Sequence, residues 1–356
     1  MGLESSRSAE KGEHAGKMLA DKARYLARIA LVGMALQGCS TKEEMLKQRD
    51  ESIHDRIASS EILMEQESSG TIQLSSGETI RIPRSSERFE RVMLYLPKNR
   101  APDKVFILFG QDHIIPKSVP NYLESMSFEE REASLKNVEE SQRVIYEELK
   151  NLAEQGTIKK VCGEGFVSQK KIDKTLSEYR ANPEEVTAQF IAHVVPEFDI
   201  SETSTVLSQQ NAKTNDSGTE HEISKRLDKE NGPQVERLYQ PYKYVVGADL
   251  VLAAEGLISL CPAEYPATNR VANQFVSEIE KNPLSVLITG LSEHGKNLIF
   301  ENRENAAIEL SLSQGDPVIG ITFGEAHDFT DAIERWNKKY PSTSIGLVDI
   351  RLSRDH

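Results

Sequence analysis

The apolar positions of this chain fall into two kinds of run. Short continuous runs stop abruptly at a glycine or turn: Val105–Phe109 before Gly110, Ile158–Cys162 before Gly163, Val318–Phe323 before Gly324, and a final run, Ser344–Val348. Such runs predict strands buried on both faces of a parallel sheet. Longer segments carry apolar residues at helical spacing. They are Ser85–Leu96 (Phe89, Val92, Met93, Leu96), Glu129–Gln155, Ser168–Tyr179, Pro183–His193, Tyr244–Leu260, Ala267–Glu280, Phe300–Ser313 and Phe329–Lys339. Thr71–Leu74 and Glu78–Ile82 flank Ser75-Ser76-Gly77, the signature of a hairpin. Leu284–Leu287 fits neither period. Alternating strands and helices predict an α/β fold, with a largely parallel or mixed central sheet flanked by helices. The N-terminal hairpin precedes it. Residues 201–234, the most polar stretch, read as an insertion.

The first 38 residues have a different character. Arg7, Lys11, Lys17, Lys22, Arg24 and Arg28 precede the apolar run Ile29–Leu36, and then come Gln37, Gly38 and Cys39. A basic region, a short apolar stretch and a small residue before cysteine make a secretory signal. Leu36-Gln37-Gly38-Cys39 resembles a bacterial lipobox, which would lipidate Cys39. Two other readings stay open: a buried helix, and N-myristoylation on Met1-Gly2…Ser6. The lipobox reading divides the chain into a signal (1–38), a charged, Ser-rich tether (39–70) and one α/β domain (71–352). It places the protein in a bacterial cell envelope, held at the membrane by lipid. No later stretch has the ~18 consecutive apolar residues that span a bilayer.

Composition changes the picture in two ways. Asp plus Glu outnumber Lys plus Arg by 56 to 43, for a net charge of -13. So acidic a chain lacks the positive footprint of a nucleic-acid binder. There are 3 cysteines, Cys39, Cys162 and Cys261. They cannot form a four-Cys zinc site, and with Cys39 lipidated the other two remain as a disulfide or as two buried thiols.

The candidate chemistry gathers at strand ends, where parallel α/β folds bind ligands. Gly110-Gln111-Asp112-His113 and Gly324-Glu325-Ala326-His327 are both G-x-x-H units directly after a strand. Gly163-Glu164-Gly165 sets a carboxylate between glycines after a third. His113, Glu164 and His327 suit either a divalent metal triad (zinc, manganese or cobalt) or a general acid/base set. Arg303, in Glu301-Asn302-Arg303-Glu304-Asn305, is a candidate for clamping a carboxylate or steadying an oxyanion. Glu255, in the apolar segment Ala253–Leu257, is either a buried acid with a raised pKa or a residue on an exposed helical stripe. No P-loop, dinucleotide fingerprint or G-x-S-x-G nucleophile elbow is present.

The order of these units resembles the TraB/GumN/Tiki group, within a wider set that includes erythromycin esterases and ChaN-type haem-binding lipoproteins. The similarity spans roughly residues 100–350 as spaced motifs. Gly110/His113 and Gly324/His327 match the two histidine motifs, Glu164 the strand-two acid, and Arg303 with Asn305 the E-R-N-like element. The resemblance implies a mixed-sheet α/β core and a site of two histidines and a glutamate. It implies hydrolysis of a peptide or small-molecule ester, metal-assisted in some members, or haem binding without chemistry. A hydrolase is the first expectation. A ligand-binding lipoprotein, with haem as the ligand, or an interaction lipoprotein on the same fold is the alternative.

Overall fold

A computed structural model describes residues 62–66, 70–84, 88–111, 127–194, 240–281, 300–324 and 327–352. The signal segment with Cys39, most of the tether, the 201–234 insertion, Leu284–Leu287 and His113 lie outside the described residues. In chain order the elements are β1 (Ile62–Gln66), β2 (Thr71–Gln73), β3 (Thr79–Arg81), β4 (Phe89–Pro97), β5 (Lys104–Gln111) and α1 (Phe128–Glu154). Then come β6 (Lys160–Gly163), α2 (Gln169–Ala181), α3 (Pro183–Val194), α4 (Ala248–Ala254) and β7 (Ser259–Pro262). The chain closes with α5 (Pro266–Lys281), α6 (Asn302–Leu312), β8 (Val318–Gly324), α7 (Phe329–Lys339) and β9 (Ile345–Leu352).

Among the described residues, seven strands form a mixed sheet in the order β1-β4-β9-β5-β8-β6-β7. β1, β4 and β9 pair antiparallel, and every pair from β9 to β7 is parallel. The hairpin β2-β3 stands apart from this sheet. Strand alternation divides the core. Val105, Ile107 and Phe109 of β5 pack with Ile145 and Leu149 of α1, Ile172 of α2 and Val251 of α4. Phe106 and Leu108 of the same strand pack on the other side with Ala307 and Ile308 of α6 and Phe329 and Ile333 of α7. Full burial of each large apolar side chain contributes about 1.5–3 kcal/mol, enough to fix the register of every central strand.

This winding creates the crevice. β6 leads into α2 on the first face, whereas its neighbour β8 leads into α7 on the second. Adjacent strands whose connections leave to opposite faces open a cleft at their carboxyl ends.

Two expected helices are partly strand. Residues 89–97 form β4, where Val92 and Leu94 face one core and Met93 and Tyr95 the other. The apolar run covers both faces of a central strand, so Phe89, Val92, Met93 and Leu96 match a helical spacing by coincidence. Tyr244–Leu260 contains α4 only. Gly256, at φ +81°, adopts the left-handed conformation that ends a helix, and Ser259–Pro262 pairs with β6. β1 is also a strand inside the segment read as tether.

The helices start where local chemistry tells them to. Ser127 caps α1: its hydroxyl accepts from the Glu130 N–H (3.2 Å), while Glu130 Oε2 accepts from the Ser127 N–H (2.6 Å). Further along α1, Glu139 accepts from the Tyr244 N–H at 2.8 Å and holds the entry to α4. Burial pushes this carboxyl from 4.5 up to about 7, against the hydrogen bonds from Tyr244 and Val245. A folded pKa above the unfolded value means the stability it supplies is present at acidic pH and fades as pH rises through about 7. Glu139→Gln keeps the acceptor and cannot ionise. Its urea midpoint should therefore gain on that of the wild type between about pH 5 and pH 8; parallel midpoints would exclude Glu139 as the titrating group.

Candidate functional site

The carboxyl ends of β8, β6 and β7 lie side by side, and each is followed by one ionisable residue. Glu164 follows β6, Glu264 follows β7 and His327 follows β8. Glu164 is fixed at both ends: its N–H donates to the Thr322 carbonyl (2.9 Å), and its Oε2 accepts from the Gly324 N–H (2.6 Å). Glu264 is fully buried, and its Oε2 accepts from the Gly165 N–H (3.0 Å) and the Asn269 side chain (2.7 Å).

Arg303, from the first turn of α6, reaches between the two carboxylates. Its Nε donates to Glu264 Oε1 and its Nη2 to Glu164 Oε1. The guanidinium also stacks over the Phe323 ring, 5.6 Å from its centre. Burial disfavours the Arg303 cation, but the charges of Glu164 and Glu264 outweigh it and raise its pKa above the ordinary value. A planar fork with fixed donors suits two separate carboxylates where a lysine would not.

His327 is 3% exposed and sits edge-on to Phe323 and Phe300, with ring centres 4.8 Å and 5.2 Å away. Its Nδ1 lies 3.1 Å from Glu304 Oε1, and its Nε2 lies 3.4 Å from Arg303 Nη1 and 4.0 Å from Glu164 Oε1. An arginine can only donate, so Nε2 faces it as an acceptor and the ring proton belongs on Nδ1, toward Glu304. Glu304 is 2% exposed; burial raises its pKa, while the bonds from His327 and from the Asp328 N–H (3.0 Å) act against that rise. Asp328 caps α7 by accepting from the Thr330 N–H (3.0 Å), so His327 sits immediately before a rigid helix start.

A second buried arginine supports the loop. Arg351, near the end of β9, donates to the His327 carbonyl (3.3 Å) and pairs with Asp349. A Cβ on Gly110 would stand 2.5 Å from Arg351 Nη1, so a larger residue here would push that guanidinium aside. Gln111, the last described residue before His113 in the sequence, pairs with Gly324 at the end of β8.

The structure thus brings together Glu164, Arg303, His327 and Gly324 of the expected set, and places Gly110 beside them. Glu255 does not join them. It accepts from the Tyr146 hydroxyl (2.6 Å) and pairs with Lys243 (3.0 Å) at the end of α4. Burial works to raise its pKa, but these two partners outweigh it and the net shift is downward; Glu255 is exposed, in keeping with the second of the two readings. Arg303 also differs in role: its donors are engaged by Glu164, Glu264 and His327, so it organises the site more than it clamps a ligand. Sequence reasoning missed Glu264 because β7 was hidden in an expected helix; the signal was an apolar run followed by an acid, as at Glu164. It missed Glu304 because its partner His327, 23 residues away, becomes a neighbour only in the fold.

For a divalent ion, the described residues supply Glu164 and His327, with the Arg303 guanidinium already lying against both. Among the described residues, no three His, Cys, Asp or Glu side chains are grouped to hold a metal. His113, the third ligand of the expected triad, lies outside the described residues. Set against protein-family models, curated proteins and solved structures, the chain matches none.

Glu264→Ala should strand the Arg303 charge and cost about 3 kcal/mol or more of stability in urea unfolding. Lys174→Ala breaks an exposed 3.6 Å contact to Glu178 and should cost less than about 0.5 kcal/mol. Equal losses would mean that the buried cluster carries no special share of the fold's stability.

Proposed function

We propose that this chain is a hydrolase of peptide or ester bonds in which His327 acts as general base. The observation that carries this reading is the line Glu304–His327–Arg303: one ring nitrogen is held by a buried carboxyl, and the other is an acceptor at a strand-end crevice. When substrate and water displace the 3.4 Å contact of Arg303 Nη1, Nε2 takes a proton from the water as it attacks the carbonyl carbon. Glu304 steadies the imidazolium that forms, as an orienting carboxylate does in other His-dependent hydrolases. His113, two residues past the end of β5, is the candidate acid for the leaving group. The resemblance to the TraB/GumN/Tiki group and the erythromycin esterases supports the same reaction class.

The Arg303 contacts favour a metal-free form of this chemistry. In relatives that use one, a metal would supply an activated water; here Glu164 and His327 would be its described ligands and His113 the third. The burial of His327 between aromatic rings, with Nδ1 engaged, favours the hydrolase over axial haem ligation. Export to the cell envelope, with a lipid on Cys39, accords with the buried Cys162–Cys261 disulfide, since disulfides persist in oxidising compartments.

The test is a panel of peptide and ester substrates with wild type, His327→Ala, Glu304→Gln and His113→Ala. His327→Ala should lower kcat by about 100-fold to 10,000-fold, the range of a lost general base. Glu304→Gln should lower it less, with KM little changed. Chelator should leave the wild-type rate intact. Full activity in His327→Ala would remove the proposed base, and loss on chelation restored by zinc, manganese or cobalt would replace the metal-free scheme with a metal-assisted one.

A further inference from the structure

Cys162 and Cys261 are joined by a disulfide whose Cα atoms are 4.4 Å apart. The two residues face each other across the β6–β7 ladder and are fully buried. Each stands just upstream of a site carboxylate: Cys162 two residues before Glu164, Cys261 three before Glu264. The bond therefore joins the two strands whose ends grip Arg303.

Its place in the sheet is unusual for a staple of the whole fold. β7 has 4 residues and, among the described residues, lies at the end of the strand order, pairing with β6, which also has 4. The two cysteines are 99 residues apart in sequence, and the polar stretch 201–234 lies between them. A short edge strand closing so long a connection has a large ordering cost to overcome and few ladder bonds to do it with. The longer strands β9, β5 and β8 pair with one another independently of it. β7 packs on α2, α4 and α6 through the buried Leu260 and Cys261, and just beyond it Glu264 makes its bonds to Arg303, Gly165 and Asn269.

We propose that the Cys162–Cys261 disulfide is a redox latch on the Arg303 site. Oxidised, it fixes Glu264 beside Glu164 and the guanidinium is held from both sides. Reduced, it lets β7 leave the sheet edge, and the site loses one wall while the central strands stay folded. The inference rests on reading this cluster as the active site, and adds how that site is regulated. The reductant is a dithiol. One of its thiolates attacks a cysteine sulfur to give a mixed disulfide, and its second thiol then displaces the protein. Two electrons and two protons pass to Cys162 and Cys261, and the reductant leaves as a disulfide. Because both sulfurs are buried, the attack waits for β7 to open, so the opening sets the rate of reduction.

The test is amide hydrogen exchange read by mass spectrometry on the full chain carrying Cys39→Ser, oxidised or treated with dithiothreitol. The double variant Cys162→Ala/Cys261→Ala serves as a reduced-state mimic without reductant. Peptides covering 259–264 and 163–166 should exchange on the order of 100-fold faster in the reduced protein and in the double variant, with β5 and β8 unchanged. Unchanged exchange at 259–264 would overturn the proposal. So would loss of protection across β5 and β8, which would make the bond a staple of the entire fold. Exchange is measured without substrate, so these outcomes stand apart from whether the chain hydrolyses anything.

Discussion

Arg303 held between Glu164 and Glu264 is the interaction on which the rest of the site depends. The guanidinium ties a helix of one face, α6, to the ends of two neighbouring strands. A buried cation stranded without its partners would be strongly destabilising, so the two acids must be in place for α6 to dock as it does. Once docked, α6 carries Glu304 to His327, and the same helix turn therefore sets both the charge next to the histidine and the direction of its ring proton. Charge balance, packing and tautomer are consequences of a single side chain's position.

The sheet order makes that position available. β8 inserts between β5 and β6, and its connection leaves to the opposite face from theirs. The acid after β6, the acid after β7 and the histidine after β8 then meet over three adjacent strand ends. Backbone groups do much of the holding: Gly324 and Gly165 N–H groups fix the two carboxylates, and Arg351 fixes the His327 carbonyl. The site is built from rigid strand termini and one helix start, which suits chemistry that needs its groups preorganised.

Much of this was legible in the sequence. Val105–Phe109 and Val318–Phe323 declare themselves as buried strands because continuous apolar runs of that length have few other homes, and the acid and histidine behind them follow. α7 was readable end to end, since Asp328 caps it and its apolar face keeps helical spacing. β4 was not, because Phe89, Val92, Met93 and Leu96 satisfy a helical period while also alternating across a two-sided strand. Nor was β7, masked by its apolar continuity with α4, and with it went Glu264. Which acid partners which base is a matter of sheet order, and sheet order is written in long-range packing that no local pattern carries. The cysteine pair is the same kind of case: two residues far apart in sequence become neighbours only when β6 and β7 do.

The central claim is that His327 presents an unprotonated Nε2 to the crevice while Nδ1 bonds Glu304. The most direct measurement is nitrogen NMR of the ring on histidine-labelled protein at about pH 8, assigned by the loss of its signals in His327→Gln. The account predicts a proton on Nδ1 and none on Nε2, with the Nδ1 signal perturbed in Glu304→Gln. A proton on Nε2, or ring signals indifferent to Glu304, would contradict it.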